Sequence, residues 1–261
     1  MGDFVTYEVH GNIAVITLNR PDARNAVNGD LAADMEAVLD RFEEEDGVWV
    51  GVLTANTTGH KSPVFCAGAD LKAINSGSGG GLATKRGGFA GYVYRDRKKP
   101  IIAAVDGLAT AGGCEIVLAS DLIVASDRSS FGLAEVKRNL IAAAGGLFRL
   151  PRAIGKAPAM EVILTGEPLS VQRAYELGLV NKVVAPDQVM AEALAMAEKI
   201  ASAAPLAVQA SRRVVLASQD LSEEELAKMS NREIAQVMNS EDTKEGLTAF
   251  IEKRAPLWKG R

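Results

Sequence analysis

Apolar residues follow two rhythms along this chain. As far as residue 185, short apolar runs alternate with segments of helical spacing, and beyond that point only helical spacing remains. Residues 5–9 and 13–18 are two runs separated by His10-Gly11-Asn12, a pattern that predicts a hairpin. After the turn cluster Asn19-Arg20-Pro21-Asp22, the residues Leu31, Met35, Leu39 and Phe42 recur at helical spacing. They predict an amphipathic helix with an acidic outer face ending at Asp46-Gly47. Residues 48–53 predict the next strand. The small residues of 65–70 lead into a short helix starting near Leu71, and SGSGGG at residues 76–81 predicts a mobile surface loop, with a role as a lid as the lesser alternative. The run at residues 101–105 predicts a fully buried strand, released by the turn Asp106-Gly107. A patch without bulky side chains, residues 109–113, precedes a short helix over 114–119 and a strand over 122–125.

Further on, a helix over 157–164 follows Pro151, Ser170 caps a helix running to Leu177 with Gly178 as its stop, and residues 180–184 form a short strand. From Pro186 the prediction is helical over 189–202, 205–218, 223–238 and 244–254, the third helix opened by the capping box Ser222-Glu223-Glu224-Glu225. Strand and helix in alternation, then helices alone, fit an α/β core over residues 1–195 and a helical C-terminal subdomain over 196–261. The apolar positions Leu226, Met229, Ile234 and Val237 exceed what that subdomain can bury on its own core, so it is expected to mediate assembly.

Composition narrows the class. With 261 residues, 48% hydrophobic and 24% charged, the chain is within reach of one large α/β domain with an appended helical part. No apolar run approaches the roughly 18 residues of a membrane span. The first residues include Asp3 and Glu8 and no apolar core of a signal peptide, so the expected location is cytoplasmic. A net charge of −4 offers no global attraction to nucleic acid. One stretch departs from this: Lys85, Arg86, Arg95, Arg97, Lys98 and Lys99 are interleaved with Phe89, Tyr92 and Tyr94. It is expected to be a solvated helix face ahead of a buried strand, with phosphate or RNA binding as the alternative. Cys66 and Cys114 have neither metal-ligand spacing nor a disulfide framework and are expected to be buried packing residues. His10 and His60 sit beside glycines in turn-like sequence, which leaves acid–base chemistry to carboxylates.

Two carboxylates stand out. Gly112 and Gly113 open the 114–119 helix, where backbone N–H groups lack intrahelical partners and carry partial positive charge. Glu115 lies one turn in. Phe131-Gly132-Leu133-Ala134-Glu135 brings a second carboxylate, followed by the small-residue loop Ala142-Ala143-Ala144-Gly145-Gly146. Taken singly, each feature has a plainer explanation: tight turns, an exposed helical Glu115, and a Glu135 paired with Lys137 or Arg138. Periodicity does not separate a spiral of ββα units from an open doubly wound sheet.

The segment AVDGLATAGGCEIVLASDLIVAS with FGLAEVKRNL resembles the core signature of the crotonase (enoyl-CoA hydratase/isomerase) superfamily. FCAGADLK at residues 65–72, NRPDARNAVN at 19–28 and AFIEKRAP at 249–256 are similar to that family's other segments, in the same order. The resemblance implies a crotonase-like ββα spiral followed by a helical C-terminal subdomain, assembled as a homotrimer or a dimer of trimers. It implies reversible addition of water to a 2-enoyl-CoA to give a 3-hydroxyacyl-CoA, with no metal and no cofactor beyond the CoA of the acyl-CoA thioester substrate. By this likeness Ala67 and Gly112 form an oxyanion hole, Glu115 activates water and Glu135 protonates the α-carbon. Ala23, Arg24, Gly68, Ala69, Asp70, Leu71 and Lys72 would bind substrate, as would Lys253 of an adjacent subunit. Competing readings are another lyase or isomerase of the superfamily, an RNA-binding member, and an acyl-CoA-binding scaffold without turnover. Ala111 replaces a glycine found in many hydratases of this kind, and Ala142-Ala143-Ala144-Gly145-Gly146 replaces Pro-Gly-Ala-Gly-Gly, which leaves the acyl scope open.

Overall fold

The computed structural model describes residues 2, 4–59, 61–75, 77 and 81–261. His60 and most of the Gly/Ser tract, Ser76, Ser78, Gly79 and Gly80, lie outside the described residues, and with them the mobile-loop and lid readings. β1 (Val5–His10) and β2 (Ile13–Leu18) form the expected antiparallel hairpin. In α1 (Gly29–Glu44) the Asn28 side chain accepts from the Leu31 N–H, and Leu31, Met35, Leu39 and Phe42 are all buried along one face. Each such side chain contributes about 1.5–3 kcal/mol by leaving water.

The chain then repeats one unit three times. β3 (Val50–Ala55) and β4 (Val64–Cys66) lead to α2 (Leu71–Asn75). After the small pair β5 (Ala83–Thr84) and β6 (Gly88–Phe89), β7 (Ile101–Val105) and β8 (Leu108–Thr110) lead to α3 (Gly112–Leu118). β9 (Leu122–Ser126) and β10 (Ser130–Gly132) lead to α4 (Gly146–Ile154). The first strand of each unit joins a six-stranded sheet and the second joins a four-stranded one, so the backbone winds as a spiral of ββα units. α5 (Lys156–Thr165), β11 (Leu169–Ser170), α6 (Val171–Glu176) and β12 (Lys182–Val184) complete it, giving the orders β1-β2-β3-β7-β9-β12 and β11-β10-β8-β4.

β7 shows why its sequence is apolar without interruption. Ile101, Ala103 and Val105 enter the main core, while Ile102 and Ala104 face a second core closed by Val189, Ala193 and Ala197 of α7 (Val189–Ala201). A parallel strand covered on both faces has no polar side. Residues 195 and 196, where the sequence reading divides the chain, fall inside this helix. α8 (Pro205–Ala217), α9 (Glu223–Met238) with its capping box, and α10 (Glu241–Glu252) follow. α10 begins ahead of residue 244 because the Ser240 side chain caps the Thr243 N–H. Among the described residues no helix is long and apolar enough to cross a membrane.

Residues 146–154 form α4 straight through Pro151, ahead of the helix that the sequence reading begins at 157. Proline forfeits one i→i−4 bond, and here burial of Leu150 and Ile154 outweighs the loss. The expectation for the basic stretch of residues 85–99 is corrected: it is not a helix, and of its basic residues only Lys85, Arg86 and Lys98 are exposed. Arg95 pairs with Asp40 at 2.5 Å, Arg97 donates to Ala119 O at 2.6 Å, and Lys99 Nζ donates to Phe42 O and Glu45 O at 2.6 and 2.8 Å. Arg97 and Lys99 are buried. These charges satisfy carbonyls and carboxylates of α1 and of the end of α3, so they are unavailable to external phosphates.

Candidate active site

β4 and β8 lie side by side in parallel, with Cys66 opposite Ala109, so the turns that follow them are pressed together. After β4 the backbone passes through Gly68 at φ +85°, where a Cβ would sit 2.9 Å from the Gly112 nitrogen. After β8 it passes through Ala111 at φ 50°, ψ −129°, a region nearly reserved for glycine, and enters α3 at Gly112. At Gly112 a Cβ would lie 2.4 Å from the Phe89 ring. Close packing thus admits no side chain at Gly68 or Gly112, and the other turn positions carry only the methyl groups of Ala67, Ala69 and Ala111.

The N–H groups sort the turn residues. Ala67 N–H donates to Arg24 O at 3.1 Å and is spent. Val27 brackets Ala69 through Val27 N–H to Gly68 O and Asp70 N–H to Val27 O, both at 2.8 Å, which turns the Ala69 N–H the opposite way. Among the described residues neither Ala69 N–H nor Gly112 N–H has a partner, and both residues line one cavity of about 680 Å³. The expectation for Ala67 is therefore corrected: the available donor lies two residues on, because the left-handed turn at Gly68 (φ +85°) gives the Ala69 N–H a different direction from the Ala67 N–H that Arg24 O takes.

Both glutamates line this cavity. Glu115 is only 3% exposed, and its Oε1 accepts from Gly146 N–H at 2.9 Å. Burial, reinforced by the Glu135 charge, pushes its carboxyl up to about 7, against support from the Gly146 and Ala144 N–H groups and Arg149. Glu135 is also raised, chiefly by burial, against its own N–H and Arg138. Its Oε2 is buried without a hydrogen-bond partner among the described residues. Neither suggested ion pair forms: Lys137 pairs with Glu167 at 2.5 Å, and Arg138 makes only a 3.5 Å contact to Ala134 O. Cys66 and Cys114 are buried free thiols, and desolvation pushes Cys66 up to about 12, far from a usable thiolate.

Other residues named from the sequence divide into two groups. Leu71 lines the cavity with Ala69. Ala23, Arg24, Gly68, Asp70, Lys72 and Lys253 do not. Asp70 is occupied, since it caps α2 through the Lys72 and Ala73 N–H groups and binds Arg20 at 2.9 Å. Arg24 and Lys72 are exposed beside the turns, and their side chains make no hydrogen bond or ion pair with the described residues. Lys253, in the left-handed cap of α10, is exposed and apart from the cavity. The sequence reading missed Phe89 and Tyr94 on one wall and Leu140 and Ile141 on another. The aromatic pair lies inside a basic stretch, where charge is the stronger sequence signal.

Comparison with known proteins finds similarity along almost the whole chain. The family described as Enoyl-CoA hydratase/isomerase matches residues 8–261. The (E)-benzylidenesuccinyl-CoA hydratase of Thauera aromatica is 41% identical over 257 residues, covering 98% of this chain and 99% of that protein. The carnitinyl-CoA dehydratase of Proteus mirabilis is 38% identical over 256 residues, covering 96% of each. A crystal structure of enoyl-CoA hydratase from Mycobacterium tuberculosis H37Rv superposes with a TM-score of 0.93 at 42% identity, covering 100% of both chains.

Proposed function

Because the chain belongs to the enoyl-CoA hydratase/isomerase family, we propose that it is an enoyl-CoA hydratase, adding water reversibly to a 2-enoyl-CoA to give a 3-hydroxyacyl-CoA. More broadly, it is an enzyme of hydratase or dehydratase type acting on CoA thioesters. The observation that carries the finer reading is the convergence of two raised carboxyls and two unpartnered backbone N–H groups on one cavity.

In this reading Ala69 N–H and Gly112 N–H hold the thioester oxygen and bind it more tightly as it becomes an enolate oxygen. Glu115, ionised, takes a proton from water while the water oxygen bonds to C3. The π electrons of the C2–C3 bond move toward the thioester, and neutral Glu135 delivers its proton to C2. A proton then passes from Glu115 to Glu135 to restore the starting state. Burial raises both carboxyls, and the Glu135 charge raises Glu115 further, so the pair resists double ionisation; the step itself calls for the charge on Glu115 and the proton on Glu135. Ala23, Gly68 and Leu71 shape the entrance, Arg24 and Lys72 hold CoA phosphates, and Lys253 does so from a neighbouring subunit.

Hydration assays with 2-enoyl-CoA thioesters of several chain lengths test the reading. Glu115→Gln and Glu135→Gln should each lower kcat by roughly 10²-fold or more with little change in KM, and the double variant should be scarcely worse. Loss of hydration in Glu135→Gln with full activity in Glu115→Gln would instead indicate a one-base isomerase.

A further inference from the structure

Two walls of the cavity are tied together by side chains that the hydration chemistry does not use. Tyr94, which lines one wall and is half exposed, donates from its hydroxyl to Ala143 O at 2.8 Å on the other. Arg149 of α4 spans the same gap, donating to Val93 O at 2.6 Å and to Ala144 O at 3.1 Å. Its guanidinium lies 5.4 Å from the Tyr94 ring and 5.3 Å from the Phe148 ring. A trans peptide directs its C=O and N–H to opposite edges. The plane that offers Ala143 O to Tyr94 therefore carries the Ala144 N–H on its far edge, and two residues on, in the same loop, the Gly146 N–H donates to Glu115 Oε1 at 2.9 Å.

We propose that Tyr94 is a positioning residue for Glu115: its hydroxyl holds the 143–144 peptide, and with it the loop that keeps the Gly146 N–H on the Glu115 carboxylate, while Arg149 fixes the adjoining wall. This rests on the reading of Glu115 as the base that activates water. The charged and titratable groups facing Glu115 are Glu135 from the turn after β10, Arg149 from α4 and the Cys114 thiol on its own helix. Tyr94→Phe alters none of these, so a change at Glu115 reports on the peptide.

Loss of the hydroxyl weakens support for the ionised form, so the acidic limb of kcat/KM should move to higher pH. In Tyr94→Phe, kcat for hydration at neutral pH should fall about 5–10-fold, with affinity for a saturated acyl-CoA unchanged within about twofold. Tyr94→Ala should be no worse, because the ring is not the acting group. A wild-type kcat and pH limb in Tyr94→Phe, or Phe restoring what Ala loses, would overturn the assignment. A readout independent of turnover is a ¹³C-carboxylate NMR titration of glutamate-labelled protein, with the Glu115 signal assigned from Glu115→Gln. An upward move in Tyr94→Phe supports the positioning role, and an unmoved signal refutes it, whether or not the protein hydrates enoyl thioesters. Absence of hydration by the wild type with a moved Glu115 signal would reject the hydratase reading and retain this one.

Discussion

At the scale of the residue, Glu115 is a group the fold tolerates rather than favours. Its carboxyl titrates near 7 in the folded chain against an ordinary 4.5, chiefly because burial disfavours the charge. Below the unfolded value both states hold the proton and there is no penalty. As pH rises the unfolded chain ionises first, so stability is lost progressively up to the folded value and stays low above it. Glu115→Gln keeps an acceptor for the Gly146 N–H and never ionises. It should therefore be more stable than the wild type at pH 8, by roughly 2–3 kcal/mol, with the gain fading as pH falls below the ordinary glutamate range. Urea unfolding at several pH values measures this, and a gain independent of pH would mean that ionisation is not its source. A residue costly to the fold is then the one assigned to activate water.

At the scale of the element, Asp242 draws the C-terminal segment onto α10. Asp242 is buried and accepts from the Lys259 and Gly260 N–H groups at 2.7 and 2.9 Å, while its own N–H donates to Arg261 O at 3.1 Å. These are charge-assisted bonds that draw residues 257–261 back along the first turn of the helix. Asp242→Ala should release that segment and leave α10 formed, since Ser240 still caps the helix. Hydrogen exchange should accelerate at Lys259 and Gly260 by about tenfold or more, as expected for a lost bond worth roughly 1.5–3 kcal/mol. Unchanged protection there would show that the segment is held without Asp242, by Trp258 on Ser202 O at 2.8 Å, Leu257 N–H on Glu245 at 2.7 Å and the ion pairs of Glu241 with Lys259 and Arg261.

For the whole molecule, the largest apolar side chains left in water sit on this same region. Phe250 is 84% and Ile251 78% exposed, with Leu247 and Leu257 beside them. A monomer rarely leaves such a patch open. We propose that residues 196–261 form the assembly unit of a homotrimer or a dimer of trimers, with Lys253 carried to a neighbour's CoA. Light scattering should give three or six times the chain mass. Phe250→Asp should lower that mass and raise KM for the thioester more than it lowers kcat, because charge near the CoA binds ground and transition states alike. A wild-type monomer at micromolar concentration would defeat the proposal.

What the sequence determined by itself was what depends on neighbours in the chain. The face of α1 from Leu31 to Phe42 follows from helical period, the capping box at Ser222 from a three-residue spacing, and the uninterrupted apolar run of β7 from burial on both sides. The family signature likewise placed two turns and two glutamates that prove to share a cavity. Tertiary structure decided what depends on distant partners. β4, β8 and β10 have three residues each, too few to show alternation, and exist because they pair with one another. Arg97 and Lys99 are inside because carbonyls elsewhere in the fold receive them. Ala69 replaces Ala67 as a donor because Arg24 and Val27 take the bonds around it. The Glu115 carboxylate meets Gly146 across 31 positions of sequence. Short-range hydrogen bonding and periodicity can be read from adjacent residues, but desolvation and the partner of a given N–H are properties of whatever the folded chain brings alongside.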